Sequence, residues 1–158
     1  MTNEPSDDIE VPVDDGADWN RDFDPRSDAR ERALNILFAS DVRGCPPEEV
    51  VERIQVPLDA LTTLLVEGVV RHRTRIDELI STHSHSWTIE RMATTDRNVL
   101  RVATFELIGR PDIPTPVVLN EAVGLAKRYG TDDSGRFVNG MLSAIARSIR
   151  EDTQSATD

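Results

Sequence analysis

The sequence predicts an all-α fold of about six helices, preceded by a disordered acidic N-terminal arm. Three observations predict it. Apolar residues recur at helical spacing through most of the chain, and no segment keeps a period-two alternation. Aromatics make up 4% of the 158 residues against 38% hydrophobic overall, so the core must be built mostly of Leu, Val, Ile and Ala. Proline and glycine fall between the periodic segments, where helices start and stop.

Residues 1–25 hold nine acids and one arginine, with prolines at 5, 12 and 25. High charge with little apolar periodicity predicts disorder there. Pro25 then marks a boundary. In "RSDARERALNILFASDVRG", Ala33, Leu34, Ile36, Leu37 and Phe38 share one broad helical face, with Asp28, Glu31, Arg32 and Asn35 opposite. Gly44 is a natural stop, and Pro46-Pro47 open the next element. "PEEVVERI" is a short helix closed by Pro57. "LDALTTLLVEGVVRHRTRIDELI" reads as one long helix, with Leu61, Leu64, Leu65, Gly68, Val69, Ile76, Leu79 and Ile80 in register. "TTDRNVLRVATFELIGR" is another, with a Thr or Asp cap and Asp96, Arg97 and Arg101 on its outer side. "DIPTP" is extended, because a residue before proline avoids the α region; Thr115 can cap and Pro116 can take the first helical position. "NEAVGLAKRYGTDDSGRFVNGML" completes a hairpin of two helices, with Gly130 as the stop. Asn139-Gly140 reads as close helix packing, since the apolar period runs through it. Residues 151–158 are a frayed, disordered tail.

Composition narrows the function. The net charge of −11 lies wholly in the two tails; residues 26–150 hold 17 acids and 17 bases. One domain of ordinary size, 26–150, follows. No apolar run reaches the roughly 20 residues that span a membrane. The acidic start carries no secretory signal, so a cytoplasmic location is expected. A lone cysteine, Cys45, excludes an intrachain disulfide framework and a multi-cysteine zinc site. His83 and His85 sit in a polar "STHSHS" junction without a ligand set. No nucleophile elbow, Walker loop or dinucleotide fingerprint is present. The expectation is a protein with no catalytic residues, no metal and no cofactor.

Arg26–Arg32 is more informative. Arg26 and Arg30 are spaced i,i+4 and share a helical face that runs on into Ala33, Leu34 and Leu37. Two arginines cannot sit unpaired in a core. Either the first turn or two project beyond the body, or the chain before about residue 29 is not helical. A projecting arginine tip suits phosphate contacts. The alternative is a solvated helix start with Arg–Asp and Arg–Glu pairs.

From Ile113 to Ala146, "IPTPVVLNEAVGLAKRYGTDDSGRFVNGMLSAIA" closely resembles the C-terminal signature of the NusB transcription antitermination factors. The match has separate parts: the Ile-Pro entry, Asn120-Glu121-Ala122-Val123, Leu125-Ala126-Lys127, the Tyr129-Gly130 turn, Asp133-Ser134 and Arg136-Phe137-Val138-Asn139-Gly140. "VLRVATFEL" and "ARERALNILFASD" resemble helices upstream. The resemblance covers about residues 26–150. It implies an all-α fold of two packed small helical bundles, about six to seven helices, and a non-enzymatic RNA-binding adaptor that pairs with NusE, a small-subunit ribosomal protein. Together the two bind the boxA element of ribosomal RNA transcripts and load it onto the antitermination complex of RNA polymerase. The family's arginine segment falls on Arg26, Arg30 and Arg32, interrupted here by Ser27 and Asp28. The turn with Asp133, Arg136 and Phe137 lies near the RNA and partner surfaces, and an acidic partner contact falls on Asp96. Phe137, if exposed, is a candidate for base stacking; its spacing with Val138, Met141, Leu142 and Ile145 equally suits the core. Some relatives dimerise, so a homodimer stays among the expected partners. A neutral body with a small arginine tip predicts modest RNA binding alone, rising with NusE. Two other classes remain as alternatives: an RNA-binding domain in rRNA maturation or ribosome assembly, and a structural helical oligomer.

Overall fold

The computed structural model describes residues 24–85 and 87–155. Most of the acidic arm expected at 1–25 lies outside the described residues. Its last two residues do not belong to an arm at all, because they open the first helix, α1 (Pro25–Arg43). Asp24 is the cap, its Oδ1 accepting the Arg26 amide at 2.9 Å. Pro25 fits the first helical position, where no amide is needed. Gly44 ends the helix with φ 66°, a left-handed conformation that favours glycine. The short α2 (Pro47–Glu52) follows.

The long helix expected from Leu58 to Ile80 is two helices: α3 (Ala60–Arg71) and α4 (Arg73–His83). The chain bends at His72 (φ −104°, ψ 18°), where the backbone leaves helical geometry while still bonding from His72 N to Gly68 O. The bend gives the two halves different targets. Leu65 and Val69 are buried in α3, which packs on α1, while Ile76 and Ile80 are buried in α4. A single straight helix could not bury both stripes.

A 3-10 turn (Ile89–Arg91) leads into α5 (Thr94–Gly109). The expected Thr or Asp cap is absent: Ala93 occupies the cap position and makes no side-chain hydrogen bond to the helix. After the prolines, α6 (Thr115–Tyr129) begins one residue earlier than Thr115-as-cap implied, with Pro114 in the cap position. α7 (Ser134–Ser155) closes the hairpin and runs five residues into the expected tail; residues 156–158 lie outside the described residues.

α5 is the hub. It packs against α1, α3, α4, α6 and α7. Packing α1, α2 and α3 on one side and α4, α6 and α7 on the other gives the expected two-bundle arrangement. A helix surrounded this way is buried on all sides. The outer face assigned to α5 is therefore wrong: Asp96 and Arg101 are buried, and Arg97 is only half-buried. Phe105 sits among glycines. A Cβ on Gly68 would overlap its ring, and one on Gly109 would come within 2.8 Å of it. Phe38 also differs from expectation, being 38% exposed at the edge of the α1 face.

The hairpin glycines divide differently from the sequence reading. Gly140 is exposed, and a Cβ there would meet nothing within 4 Å, so it is no close-packing site. The close approach is at Gly135, where a Cβ would stand 3.0 Å from the Lys127 stem. Gly130 keeps its role as the stop, for a steric reason: a Cβ would strike the Ser134 hydroxyl and come within 2.6 Å of the Ala126 carbonyl.

Candidate nucleic-acid interface

The two arginines on one face of α1 have opposite fates. Arg26 is exposed. Arg30 is 2% exposed and does not stand on a free tip. Its Nε donates to both Glu106 carboxylate oxygens at 3.0 Å, and its Nη2 donates to Oε1 at 2.9 Å. Its Nη1 lies 3.8 Å from Glu121 Oε2. The other Glu121 oxygen accepts the Ser27 hydroxyl at 2.8 Å. The sequence reading offered a projecting tip, a non-helical start, or a solvated helix start with Arg–Asp and Arg–Glu pairs; the pairs are present, as Arg32–Asp59 shows, but the one at Arg30 is not solvated. At Arg30 the structure has a buried arginine compensated by a buried acid. A charge in a low-dielectric interior is tolerable when paired and hydrogen-bonded. As an RNA contact, Arg30 is out of reach in this conformation. What it does is fix the first turns of α1 against α5 and α6.

The signal was present in the sequence. Glu106 lies between Phe105 and Leu107 in an apolar stripe, and a carboxylate in such a stripe needs a cation. Local periodicity could not say which, because Arg30 is 76 residues away.

Arg32 is half-exposed and pairs with Asp59 at 3.2 Å. The Asp59 carboxyl is held below its ordinary range, first by the Thr62 hydroxyl that donates to it and also by Arg32. Arg128, largely exposed, reaches Glu31 at 3.2 Å and ties α6 to α1. At the α6–α7 turn the Thr131 amide donates to Ser134 Oγ at 2.9 Å, which anchors the start of α7. Asp133 and Arg136 are exposed there. The Asp133 carbonyl accepts the Phe137 amide at 3.0 Å. The Phe137 ring is partly buried and packs against the core. Arg26 and Arg136 thus stand at the surface, while Arg30 is buried and Phe137 is partly buried against the core.

The other end of α1 meets the start of α5. Asp41 accepts Arg97 Nη2 at 2.8 Å, Asn98 Nδ2 at 3.0 Å and Arg101 Nη1 at 3.3 Å. Arg101 continues to Asp77 at 3.0 and 3.2 Å, and Arg73 joins Asp77 at 3.1 Å. Partial burial pushes the Asp41 carboxyl up. The hydrogen bonds from Asn98 and Arg97 and the charges of Arg97 and Arg101 outweigh it, so the group sits below its ordinary value. The sequence reading missed this network altogether, having placed Arg97 and Arg101 in solvent. Beside it, Asp96 is 9% exposed, and its Oδ1 has no hydrogen-bond partner. A buried carboxylate oxygen left open is costly unless something else satisfies it. Among the described residues no three His, Cys, Asp or Glu side chains gather as a metal site, and no helix is long and apolar enough to cross a membrane.

Compared with known proteins, the chain is 47% identical over 126 residues to the transcription antitermination protein NusB of a Nocardioides species, spanning 77% of this chain and 93% of that protein. It is 47% identical over 128 residues to its namesake from Salinispora tropica, spanning 77% and 94%. Among solved structures it resembles T. maritima NusB with a TM-score of 0.72 at 37% identity, covering 78% of this chain and 92% of that one. It also resembles a chain in the crystal structure of antitermination factors NusB and NusE in complex with dsRNA, with a TM-score of 0.68 at 35% identity, covering 78% and 96%. These likenesses and the helical fold define a transcription antitermination factor. The chain belongs to the NusB family, whose model matches residues 27–147.

Proposed function

We propose that this protein is a non-catalytic RNA-binding adaptor in transcription antitermination of bacterial ribosomal RNA operons, binding boxA RNA together with NusE. What supports this most is the likeness, across 78% of the chain, to a NusB crystallised with NusE and double-stranded RNA. The body at 26–150 carries the activity in the cytoplasm and joins the RNA polymerase antitermination complex through its partner. Arg26 and Arg136 are exposed cations able to meet phosphate, with Arg32 available once it leaves Asp59. Arg30 acts indirectly, by holding Arg26 in place. Asp96, at the start of α5, borders the partner surface, and Asp133 borders both surfaces. A homodimer covering the same face would compete with RNA.

A pull-down on immobilised NusE, with and without a boxA oligonucleotide, tests the reading. Wild-type chain is retained, and more strongly with RNA. Asp96→Asn weakens retention by about thirtyfold or more, the scale of breaking one buried charge contact. Arg26→Ala leaves RNA-free retention intact and removes most of the gain from RNA. Failure of the wild-type chain to bind NusE under any condition would sink the proposal.

A further inference from the structure

The aromatic residue expected to meet RNA bases at the α6–α7 turn was Phe137, and its ring packs against the core. Another aromatic stands at the same junction. Tyr129, the last residue of α6, is 43% exposed. Its hydroxyl makes no hydrogen bond among the described residues. Phe38 and Trp87 are the other exposed large aromatics among them. Phe38 lies twelve residues along α1 from Arg26, about 18 Å at helical rise, and belongs to the far end of that helix. Tyr129 alone of the three adjoins the turn that carries Asp133 and Arg136.

The surroundings of Tyr129 give it a specific use. Lys127, Arg128 and Arg136 surround the turn, and Gly135 lets the Lys127 stem lie across the start of α7, next to Arg136. Acids offset these cations. Arg128 is held by Glu31, and Asp132 and Asp133 are exposed beside Arg136. A surface with balanced charge releases few counterions, so phosphate contacts alone give it little affinity. Stacking does not depend on net charge, since every base has a π-face. A tyrosine also fits a site that is apolar on one side and wet on the other. The platform is firm: the Gly130 amide bonds to Ala126 O at 2.8 Å, and the Thr131–Ser134 hydrogen bond braces the turn.

We infer that Tyr129 is the base-stacking platform of the RNA surface, receiving one unpaired base while Lys127 and Arg136 hold the flanking phosphates. This rests on the RNA-binding reading above. The chain has a single tyrosine, so 3-fluorotyrosine labelling gives one fluorine resonance and a direct report on the ring.

The experiment titrates single-stranded boxA RNA onto the chain with NusE present. The series comprises wild type, Tyr129→Phe and Tyr129→Leu, each also against RNAs with one abasic position moved along the strand. Tyr129→Phe binds like wild type. Tyr129→Leu binds about 5- to 150-fold more weakly, the range for one stacked base. One abasic position weakens wild type by a similar factor and leaves Tyr129→Leu unaffected, a coupling that mere loss of local structure would not produce. The fluorine resonance moves on adding that RNA and stays put with the abasic one. Equal RNA binding by wild type and Tyr129→Leu, or equal losses at every abasic position for both, overturns the inference while leaving the adaptor reading intact. Absence of RNA binding by wild type overturns both.

Discussion

Replacing Arg30 by methionine should cost this protein a large part of its stability. Arg30 and Glu106 have side chains 3% and 2% exposed and share three hydrogen bonds of 2.9 to 3.0 Å. Methionine keeps much of the volume and removes the charge. Glu106 is then a carboxylate with no cation in van der Waals reach except through rearrangement, and Glu121 loses its neighbour too. Breaking a buried pair from one side costs about 3–5 kcal/mol. For a domain of this size that lowers the thermal midpoint by roughly 10 °C or more. Arg26→Ala, four residues earlier in the exposed first turn, should change stability by no more than about 0.5 kcal/mol. Replacing both partners, Arg30→Met with Glu106→Met, should restore most of the loss, because no uncompensated charge remains. Urea unfolding followed by far-ultraviolet circular dichroism measures all four proteins. If Arg30→Met proves as mild as Arg26→Ala, the guanidinium is not buried against Glu106. Arg30 is then no anchor for the start of α1.

Other outcomes follow from the same geometry. Asp41 has a depressed carboxyl pKa in the folded protein. Its stabilisation is present above the unfolded value and is lost as pH falls through the folded one, so below about pH 4 the wild type loses stability that Asp41→Asn never had. Unfolding free energies from urea titrations between pH 3 and 7 should converge for the two proteins at the acid end and differ at neutral pH by about 1 kcal/mol, since the partly exposed carboxylate is screened by solvent. Gly140→Ala should stabilise by up to about 1 kcal/mol, since it adds a helix-favouring residue in open space. Gly68→Ala should destabilise by about 1–3 kcal/mol, because the Phe105 ring must move. Arg26→Ala should lower the log–log salt slope of RNA binding by about 0.7, the share of one phosphate on a single strand.

The sequence carried the helix ends best where a residue's own backbone decides them. Pro25, Gly44 and Gly130 stand where proline starts and glycine stops a helix. It carried the apolar stripes of α1, α6 and α7, because amphipathic helices with one buried face print their burial as period. It failed for α5, where five neighbours bury every side and the period no longer separates core from solvent. Asp96 and Arg101 were assigned to water for that reason. The bend at His72 left no trace, since both halves keep helical spacing through it. Ion pairs across long stretches of chain were equally hidden: Arg30 with Glu106, and Asp41 with Arg97 and Arg101. The proposed RNA surface takes its place, the start of α1 and the α6–α7 turn, from the family resemblance. Its division of labour was not legible. Exposure decides whether an arginine or aromatic touches a ligand or supports one that does, and exposure is set by distant partners. Gly140 shows the converse, where an apolar period on both sides suggested packing that three dimensions do not provide.

The central claim, that this chain and NusE together make the RNA surface, is tested most directly by one titration. Labelled boxA RNA is titrated with the chain alone, with NusE alone and with the two together at fixed salt. The account predicts weak binding by the chain alone and a marked tightening with NusE, largely lost in Arg26→Ala. Equally tight binding by the chain alone, or a pair no tighter than its better member, would contradict it.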